Sequence, residues 1–192
     1  MVIGVLGGSF CPPTIAHIEL SKRCIEAGFC DKVIWVPVND AYRKSTNIAA
    51  KHRCEMVKLA LMNEPNIEMS LHEQNHKDII RTLESLQELQ KMHPNDELKF
   101  IAGADKLLFK WIQREAFVSN FGLIVTNRED IDCEALIARS VTLSKYRNKI
   151  NILNFESTVS STEARDNIKN TGTTNVIPAS VMEYIQKHNL FI

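Results

Sequence analysis

The sequence has no excess of either charge, because 23 lysine and arginine residues are matched by 23 aspartate and glutamate residues among its 192. It therefore lacks the general positive field with which proteins attract nucleic acids and anionic membranes. No apolar run reaches the length that crosses a bilayer, and the first residues read as a strand instead of a basic leader. We expect a soluble intracellular protein, cytoplasmic or nuclear, with no nucleic-acid or membrane partner; a homo-oligomer is compatible with these features.

Paired cysteines are also missing, since the five cysteines are scattered and none forms a Cys-x-x-Cys motif. This favours a reducing compartment and argues against structural zinc. Internal repeats, low-complexity tracts and long linkers are absent as well. We predict a single domain over residues 1–192, whose C-terminal helical part covers about 156–192.

Short β-branched runs alternate with longer amphipathic runs along the chain. This alternation predicts an α/β fold, a Rossmann-like doubly wound parallel sheet with helices on both faces. The predicted strands are residues 2–6, 32–38, 66–71, 98–102, 121–126 and 150–155. The predicted helices are 15–29, 48–62, 77–93, 130–138 and two more that open at Ser160 and Pro178. The helix over 77–93 has the clearest apolar face, made by Ile79, Ile80, Leu83, Leu86 and Leu89.

Residues 7–17, Gly-Gly-Ser-Phe-Cys-Pro-Pro-Thr-Ile-Ala-His, follow the first predicted strand directly. The glycines allow a close approach of the main chain to a ligand, and Thr14 can cap a helix whose N-terminus stabilises an anion. His17 then lies in the first helical turn, with its imidazole over the loop. The segment is neither a Walker loop nor a three-glycine dinucleotide motif, so taken alone it is equally compatible with an ordinary turn.

Three turns, at residues 7–17, 39–45 and 103–105, follow predicted strands and should therefore meet at the carboxyl edge of the sheet. A fourth segment, Ser-Ser-Thr-Glu at 160–163, is a capping box with Arg165 one turn further on. Its free amides and the guanidinium could bind the same anion. An isolated capping box with a solvated arginine would be unremarkable, so the hypothesis depends on this convergence.

Together these segments resemble the nicotinamide or nicotinate mononucleotide adenylyltransferases of the nucleotidylyltransferase superfamily. The family's Gly-x-Phe-x-Pro-x-His/Thr-x-x-His element is matched at residues 8–17, and its Ile-Ser-Ser-Thr-x-x-Arg element at 159–165, with Val159 in the first position. Residues 37–44, 50–53, 103–105 and 183–190 are similar to the eukaryotic-type members in particular.

The resemblance implies that the chain transfers the adenylyl group of ATP to nicotinamide or nicotinate mononucleotide, with release of pyrophosphate, in NAD biosynthesis. Such a transfer needs in-line positioning and neutralisation of phosphate charge more than an activated nucleophile. The resemblance also implies a Mg²⁺ ion that bridges ATP oxygens. Because no carboxylate cluster is evident, we expect phosphates and water to hold this ion, with no metal ligands from the protein.

The resemblance further implies which residues act. The expected catalytic residues are His17, Lys44, Arg165 and Thr14. The expected ATP-binding residues are Gly8, Ser9, Phe10, His17, Lys44, Gly103, Asp105, Ser160, Ser161, Thr162 and Arg165. The expected mononucleotide-binding residues are Ser9, Lys44, Thr82 and Trp111, of which Trp111 would stack on the pyridine ring unless it is an ordinary core residue.

Two positions depart from the family pattern. Cys11 stands where the family usually has Asp or Asn, and Ile79 where eukaryotic-type members often have a second stacking tryptophan. Cys11 is either a tolerated loop residue or a redox switch, and its position beside Pro12 could make the thiol accessible to alkylation. Three functions stay open: the adenylyltransferase, without a choice between acid and amide; a relative that adenylylates or cytidylylates another phosphorylated acceptor; and a nucleotide-binding protein without turnover.

Overall fold

The computed structural model of the protein describes residues 1–42, 48–108, 113–127 and 131–191. Its six strands are β1 (Val2–Gly8), β2 (Lys32–Pro37), β3 (Ile67–Met69), β4 (Glu97–Gly103), β5 (Gly122–Thr126) and β6 (Ile150–Leu153). They form one sheet in the order β3-β2-β1-β4-β5-β6, and every neighbouring pair is parallel. The predicted α/β fold class is confirmed.

The helices in the described residues cover both faces of the sheet and the C-terminal part. They are α1 (Ile15–Glu26), α2 (Ala50–Ala60), α3 (Thr82–Met92), α4 (Asp105–Leu108), α5 (Arg114–Asn120), α6 (Cys133–Arg139), α7 (Val141–Lys145), α8 (Ser161–Thr171) and α9 (Ala179–Lys187). Short 3₁₀ turns lie at His72–Asn75 and Arg147–Lys149. Within the described ranges, none of these helices has the length and apolar character required to cross a membrane.

Alternate residues along the strands belong to two apolar clusters, one on each face of the sheet. On one face, Val5 and Leu123 pack with Leu86 of α3, while on the other Trp35 and Ile124 pack among side chains of α1 and α2. A third cluster joins α2 to α8 and α9. Each fully buried large apolar side chain contributes about 1.5–3 kcal/mol. Helix α2 is thus fixed on two sides, between the sheet and the C-terminal helices.

Helix α3 begins later than its apolar periodicity predicted, at Thr82 instead of residue 77. Glu84 accepts a hydrogen bond from the amide of Arg81, and this closes an N-terminal cap at that point. The preceding segment is held by the Asn39 side chain, whose Nδ2 donates to the carbonyls of His76 and Asp78. Residues before Thr82 therefore lie outside the helix. Ile79, which was predicted to lie on the apolar face of the helix, is 56% exposed.

Candidate active site

A cleft of about 870 Å³, here called the edge cleft, opens at the carboxyl end of the sheet. It lies where the strand order reverses between β1 and β4, the position at which open α/β sheets bind ligands. Its lining includes Gly7, Thr14, His17, Gly103, Asp105, Thr126, Ser160 and Ser161. The turns at residues 7–17 and 103–105 therefore converge, as their positions after strands predicted, and the capping box lies in the same cleft. Of the third predicted turn, 39–45, residues 43–45 lie outside the described residues and Tyr42 lines a different cavity.

His17 is the third residue of α1 and is held by Thr14, the residue that caps this helix. The backbone N–H of Thr14 donates to His17 Nδ1 at 3.0 Å, and Thr14 Oγ1 lies 2.7 Å from the same nitrogen. A backbone N–H can only donate, so Nδ1 must be the acceptor and the neutral ring carries its proton on Nε2. The capping interaction thus selects the tautomer and leaves the Nε2–H for a ligand in the cleft.

Two aromatic rings fix the plane of the His17 imidazole. Phe10 and Trp35 stack with ring centroids 4.7 Å apart, and each meets His17 edge-on, at 5.2 and 5.8 Å. Trp35 Nε1 donates to Ser21 Oγ, which in turn donates to the carbonyl of His17. Phe10 reaches this stack with φ at +46°, a left-handed conformation that costs a non-glycine residue energy and needs such packing.

Burial lowers the pKa of His17 to about 4, and the bond from Thr14 opposes this only in part. At neutral pH the ring is therefore uncharged. Its interaction with an anion in the edge cleft is a directional hydrogen bond from Nε2–H rather than the attraction of a full positive charge.

The N-terminus of α8 is fastened to the turn at residues 7–17. Ser160 caps the helix by accepting from the amide of Glu163, while Ser161 Oγ donates to the carbonyl of Pro12 at 2.8 Å. Arg165 donates to the carbonyl of Cys11 at 2.8 Å. Two segments about 150 residues apart in sequence are thereby joined, and the free amides of α8 are brought to the edge cleft.

At the end of β4, Gly103 lies against the side chain of Asp105. A Cβ atom at residue 103 would collide with the Asp105 carboxylate, so glycine is required for this close approach. Asp105 also pairs with Lys106 at 3.5 Å. Both Gly103 and Asp105 line the edge cleft, where the carboxylate can accept hydrogen bonds from a ligand.

A second cavity of about 180 Å³, here called the side pocket, lies between the end of β1 and helix α3. Gly7 lines both this pocket and the edge cleft, so the two cavities meet at the end of β1. The lining of the side pocket includes Ser9, Thr82 and the aromatic ring of Phe100. A ligand in each cavity would therefore be separated only by the glycine turn.

Arg53 supports the glycine turn, a role that its sequence context did not indicate. Only 2% exposed, it donates to the carbonyls of Ser9 at 3.0 Å and Ile48 at 3.2 Å, and to Asp40 at 3.3 Å. Asp40 also accepts from the amide of Ala50 at the start of α2. These contacts span up to 44 residues of sequence, and no local pattern could have indicated them.

Comparisons with known proteins agree with this geometry. A family model described as cytidylyltransferase-like matches residues 5–167. The probable nicotinate-nucleotide adenylyltransferase of Carboxydothermus hydrogenoformans is 30% identical over 195 residues, which cover 98% of this chain and 97% of that protein. The protein of the same description from Borrelia garinii is 31% identical over 199 residues, which cover 100% and 95% of the two chains.

The chain belongs to the nicotinate-nucleotide adenylyltransferase family. Among solved structures, the Plasmodium falciparum nicotinic acid mononucleotide adenylyltransferase complexed with NaAD superimposes with a TM-score of 0.76 at 23% identity. The match covers 99% of this chain and 97% of that one, and at this identity it shows that the two share a fold.

The structure of this adenylyltransferase-family chain brings most of the predicted site residues to the two cavities. Thr14, His17, Gly103, Asp105, Ser160 and Ser161 line the edge cleft, and Gly8, Ser9 and Thr82 line the side pocket. Phe10 is buried in the ring stack. Thr162 and Arg165, which bond each other, line neither of the two cavities. Lys44 and Trp111 lie outside the described residues, so their assignments stay predictions.

Cys11, one of the two departures from the family pattern, is fully buried. The expectation that its thiol is accessible to alkylation is therefore wrong, because the side chain has no exposed surface. Its backbone carbonyl contributes instead, as the acceptor for Arg165.

The lowered pKa of His17 predicts a pH-dependent loss of stability. Between the unfolded pKa of 6.5 and the folded value of about 4, the unfolded chain binds more protons at this residue. Stability from this source therefore falls as pH falls through that window, by about 2 kcal/mol between pH 7.5 and 5. Urea unfolding at both pH values should show this extra loss in the wild type and not in His17→Gln. Equal losses in the two proteins would contradict the lowered pKa.

Replacing Gly103 with alanine should displace the Asp105 carboxylate and weaken ATP binding. We expect the KM for ATP to rise about tenfold, the size of one lost hydrogen bond to a charged group, with a smaller change in kcat. The double variant Gly103→Ala/Asp105→Ala is the control. It should regain thermal stability, because the colliding group is gone, yet keep the raised KM. An unchanged KM in Gly103→Ala would contradict this role.

Proposed function

We propose that this chain transfers the adenylyl group of ATP to nicotinate mononucleotide, giving nicotinate adenine dinucleotide and pyrophosphate. The observation that carries the proposal is the edge cleft, in which a neutral histidine and the capped N-terminus of α8 share one cavity at the switch point of the sheet. Groups that donate hydrogen bonds suit an in-line displacement at phosphorus, where the main need is to orient and neutralise phosphate oxygens.

In this proposal ATP lies in the edge cleft. The Nε2–H of His17 donates to an oxygen of the α-phosphate, and Thr14 keeps the imidazole in the required tautomer. The β- and γ-phosphates lie toward the start of α8, where Ser160 and Ser161 line the cleft and Thr162 and Arg165 follow in the first helical turns. Gly103 and Asp105 bind the adenosine ribose, and Gly8 and Phe10 shape the turn beside it.

The mononucleotide lies in the side pocket, with Ser9 and Thr82 among its contacts and with Lys44 and Trp111 assigned by the family resemblance. Its 5′-phosphate points toward Gly7, where the two cavities meet. One phosphate oxygen attacks the α-phosphorus of ATP, the new P–O bond forms, and the bond to pyrophosphate breaks. The leaving pyrophosphate takes up the negative charge near the helix N-terminus, where it is stabilised.

A Mg²⁺ ion fits this site when it is carried by the substrate. Among the described residues, no group of three or more His, Cys, Asp or Glu side chains could hold a metal ion. The cleft instead offers hydroxyl and N–H groups, together with the Asp105 carboxylate. Phosphate oxygens and water would supply the ligands, and the ion would neutralise phosphate charge.

The choice of the acid mononucleotide is supported by the two sequence relatives, both described as probable nicotinate-nucleotide adenylyltransferases. Nicotinamide mononucleotide is the second candidate acceptor, because the two differ only in the substituent on the ring. The likeness of residues 37–44 and 183–190 to eukaryotic-type members stays a prediction, and the two sequence relatives named above are bacterial.

Product analysis tests the proposal directly. The full chain is incubated with ATP, Mg²⁺ and either nicotinate or nicotinamide mononucleotide, and dinucleotide and pyrophosphate are quantified. We expect dinucleotide formation, faster with the acid. Parallel reactions replace ATP with CTP, or the mononucleotide with other phosphorylated acceptors. Turnover only in those reactions would assign the chain to another nucleotidyl transfer, and ATP binding by calorimetry without any product would indicate a non-catalytic protein.

A further inference from the structure

Four polar side chains are buried together beside the side pocket. Ser70, His72, Glu73 and Ser85 are each 9% exposed or less. His72 Nδ1 lies 2.9 Å from Ser70 Oγ, and His72 Nε2 lies 2.8 Å from Ser85 Oγ. The Ser85 hydroxyl also lowers the pKa of the neighbouring Glu73 carboxyl, as a hydrogen-bond donor to a carboxylate does. A chain of hydrogen bonds thus runs from the end of β3 to Glu73.

This chain of hydrogen bonds ends at a cavity wall, since both Glu73 and Ser85 line the side pocket. Burying polar groups is costly unless each is satisfied, and an apolar filling would stabilise the fold at lower cost. A buried carboxyl on a pocket wall therefore indicates contact with a ligand more than a contribution to folding.

The network has one consistent hydrogen arrangement for each protonation state of Glu73. Burial lowers the pKa of His72, so its ring is neutral near pH 7, with one nitrogen donating and the other accepting. If Nε2 donates to Ser85, the Ser85 hydrogen is directed to Glu73 as a carboxylate. If Nδ1 donates to Ser70, then Ser85 donates to Nε2 and accepts a hydrogen bond from protonated Glu73.

Several groups around Glu73 act on its protonation, some favouring the carboxylic acid and others the carboxylate. Burial raises the pKa of Glu73 and Glu88 of α3 adds to this, whereas Ser85 and His76 lower it. His76 is itself paired with Glu88 at 2.9 Å. From α4, Lys106 lines the same pocket and pairs with Asp105. Burial is the largest of these effects, so the pKa of Glu73 is raised above its ordinary value.

The shape of the side pocket indicates which part of the acceptor meets Glu73. Apolar side chains of Val5, Val36, Leu86 and Phe100 line the pocket and suit a flat aromatic ring. The end at Gly7 adjoins the edge cleft and must take the 5′-phosphate if the proposed function is right. The ring and its substituent then occupy the remaining part of the pocket, where Glu73 and Ser85 supply polar contacts.

We propose that Glu73, oriented by Ser85 and His72, is the residue that reads the pyridine substituent of the mononucleotide, an inference that rests on the proposed function. As a carboxylic acid, Glu73 donates to the carboxylate of the acid substrate. As a carboxylate, it accepts from the amide N–H of the nicotinamide substrate and repels the acid. The preference for acid over amide therefore depends on pH.

The test measures kcat/KM for both mononucleotides between pH 5.5 and 8.5 in the wild type, Glu73→Gln and Ser85→Ala. The acid-to-amide ratio of the wild type should fall about tenfold or more as pH rises, the effect of one charged contact. In Glu73→Gln the ratio should be constant, because glutamine offers a donor and an acceptor at every pH. In Ser85→Ala the fall should move to higher pH, because the carboxylate loses a hydrogen bond. Ser119→Ala, at a half-buried position of α5 that lines neither cavity, is the control and should match the wild type.

Equal ratios in the wild type and Glu73→Gln at every pH would overturn the inference while leaving the proposed function intact. If Glu73→Gln fails to fold, the Ser85→Ala profile decides, and a profile identical to that of the wild type would overturn the inference. If neither mononucleotide yields a dinucleotide, the proposed function fails and the inference fails with it.

Discussion

Replacing His17 with alanine is expected to lower kcat by about 10²-fold or more, the cost of removing one donor that stabilises the transition state. The KM for ATP should change much less, because the helix N-terminus and the ribose contacts remain. The reason lies in the geometry: Thr14 holds Nδ1 at 3.0 Å, so the Nε2–H is directed before substrate binds. Steady-state kinetics with both substrates varied would measure the split.

Two further variants show whether the loss comes from the donor itself. His17→Gln keeps an N–H group near the position of Nε2 and should retain part of the activity. His93→Ala removes a histidine at the end of α3 and should leave kcat unchanged. If His17→Ala has the kcat of the wild type, the imidazole does not stabilise the transition state.

Replacing Arg53 with methionine is expected to give the second large effect, a loss of both stability and activity. Methionine keeps much of the side-chain volume but none of the donors, so the carbonyls of Ser9 and Ile48 lose their partner. Each such lost partner costs about 1–3 kcal/mol, and we expect a total near 2–4 kcal/mol. Because Ser9 belongs to the glycine turn, kcat/KM should also fall by roughly 10- to 10²-fold. Denaturant unfolding and steady-state kinetics would measure the two effects.

Controls for Arg53 separate its geometry from its charge. Arg53→Lys retains a positive charge but not the planar fork that reaches three acceptors, and it should show an intermediate loss. Arg23→Met removes an exposed arginine of α1 whose pairs with Glu19 and Glu26 contribute little, and it should match the wild type. Full activity in Arg53→Met would show that the turn holds its shape without this bracing.

The elements that the sequence predicted well are those whose signals are local. The glycine turn, the cap at Thr14 and the box at Ser160 are each encoded within about four residues, and they formed where expected. Parallel strands then brought them together, because the carboxyl ends of such strands share one edge. The convergence of the edge cleft could therefore be inferred before any coordinates.

The features that the sequence did not indicate depend on contacts between distant segments. Helix α3 starts late because Asn39, nearly forty residues away, holds the segment before it. Arg53 donates to Ser9 and Arg165 donates to Cys11, and these hydrogen bonds also join segments that are far apart in sequence. Periodicity describes one element at a time, so it cannot report which carbonyl a side chain from another element will bind.

The residues proposed to select the substrate in the side pocket also could not be identified from local sequence patterns. Thr82 could be assigned through the family resemblance, but His72, Glu73 and Ser85 are unremarkable in sequence. Only their joint burial against Phe100 and Leu86 makes their protonation relevant to a ligand. In this proposal, the selection of acid or amide depends on how the folded chain packs these side chains together.

The central claim is that His17 and the start of α8 bind one polyphosphate in the edge cleft. The most direct measurement is a crystal structure of the chain with a non-hydrolysable ATP analogue and Mg²⁺. We expect an α-phosphate oxygen within about 3.2 Å of His17 Nε2, and we expect the terminal phosphates to contact the amides of Ser161 and Thr162. An analogue bound elsewhere, or with its phosphates directed away from α8, would contradict it.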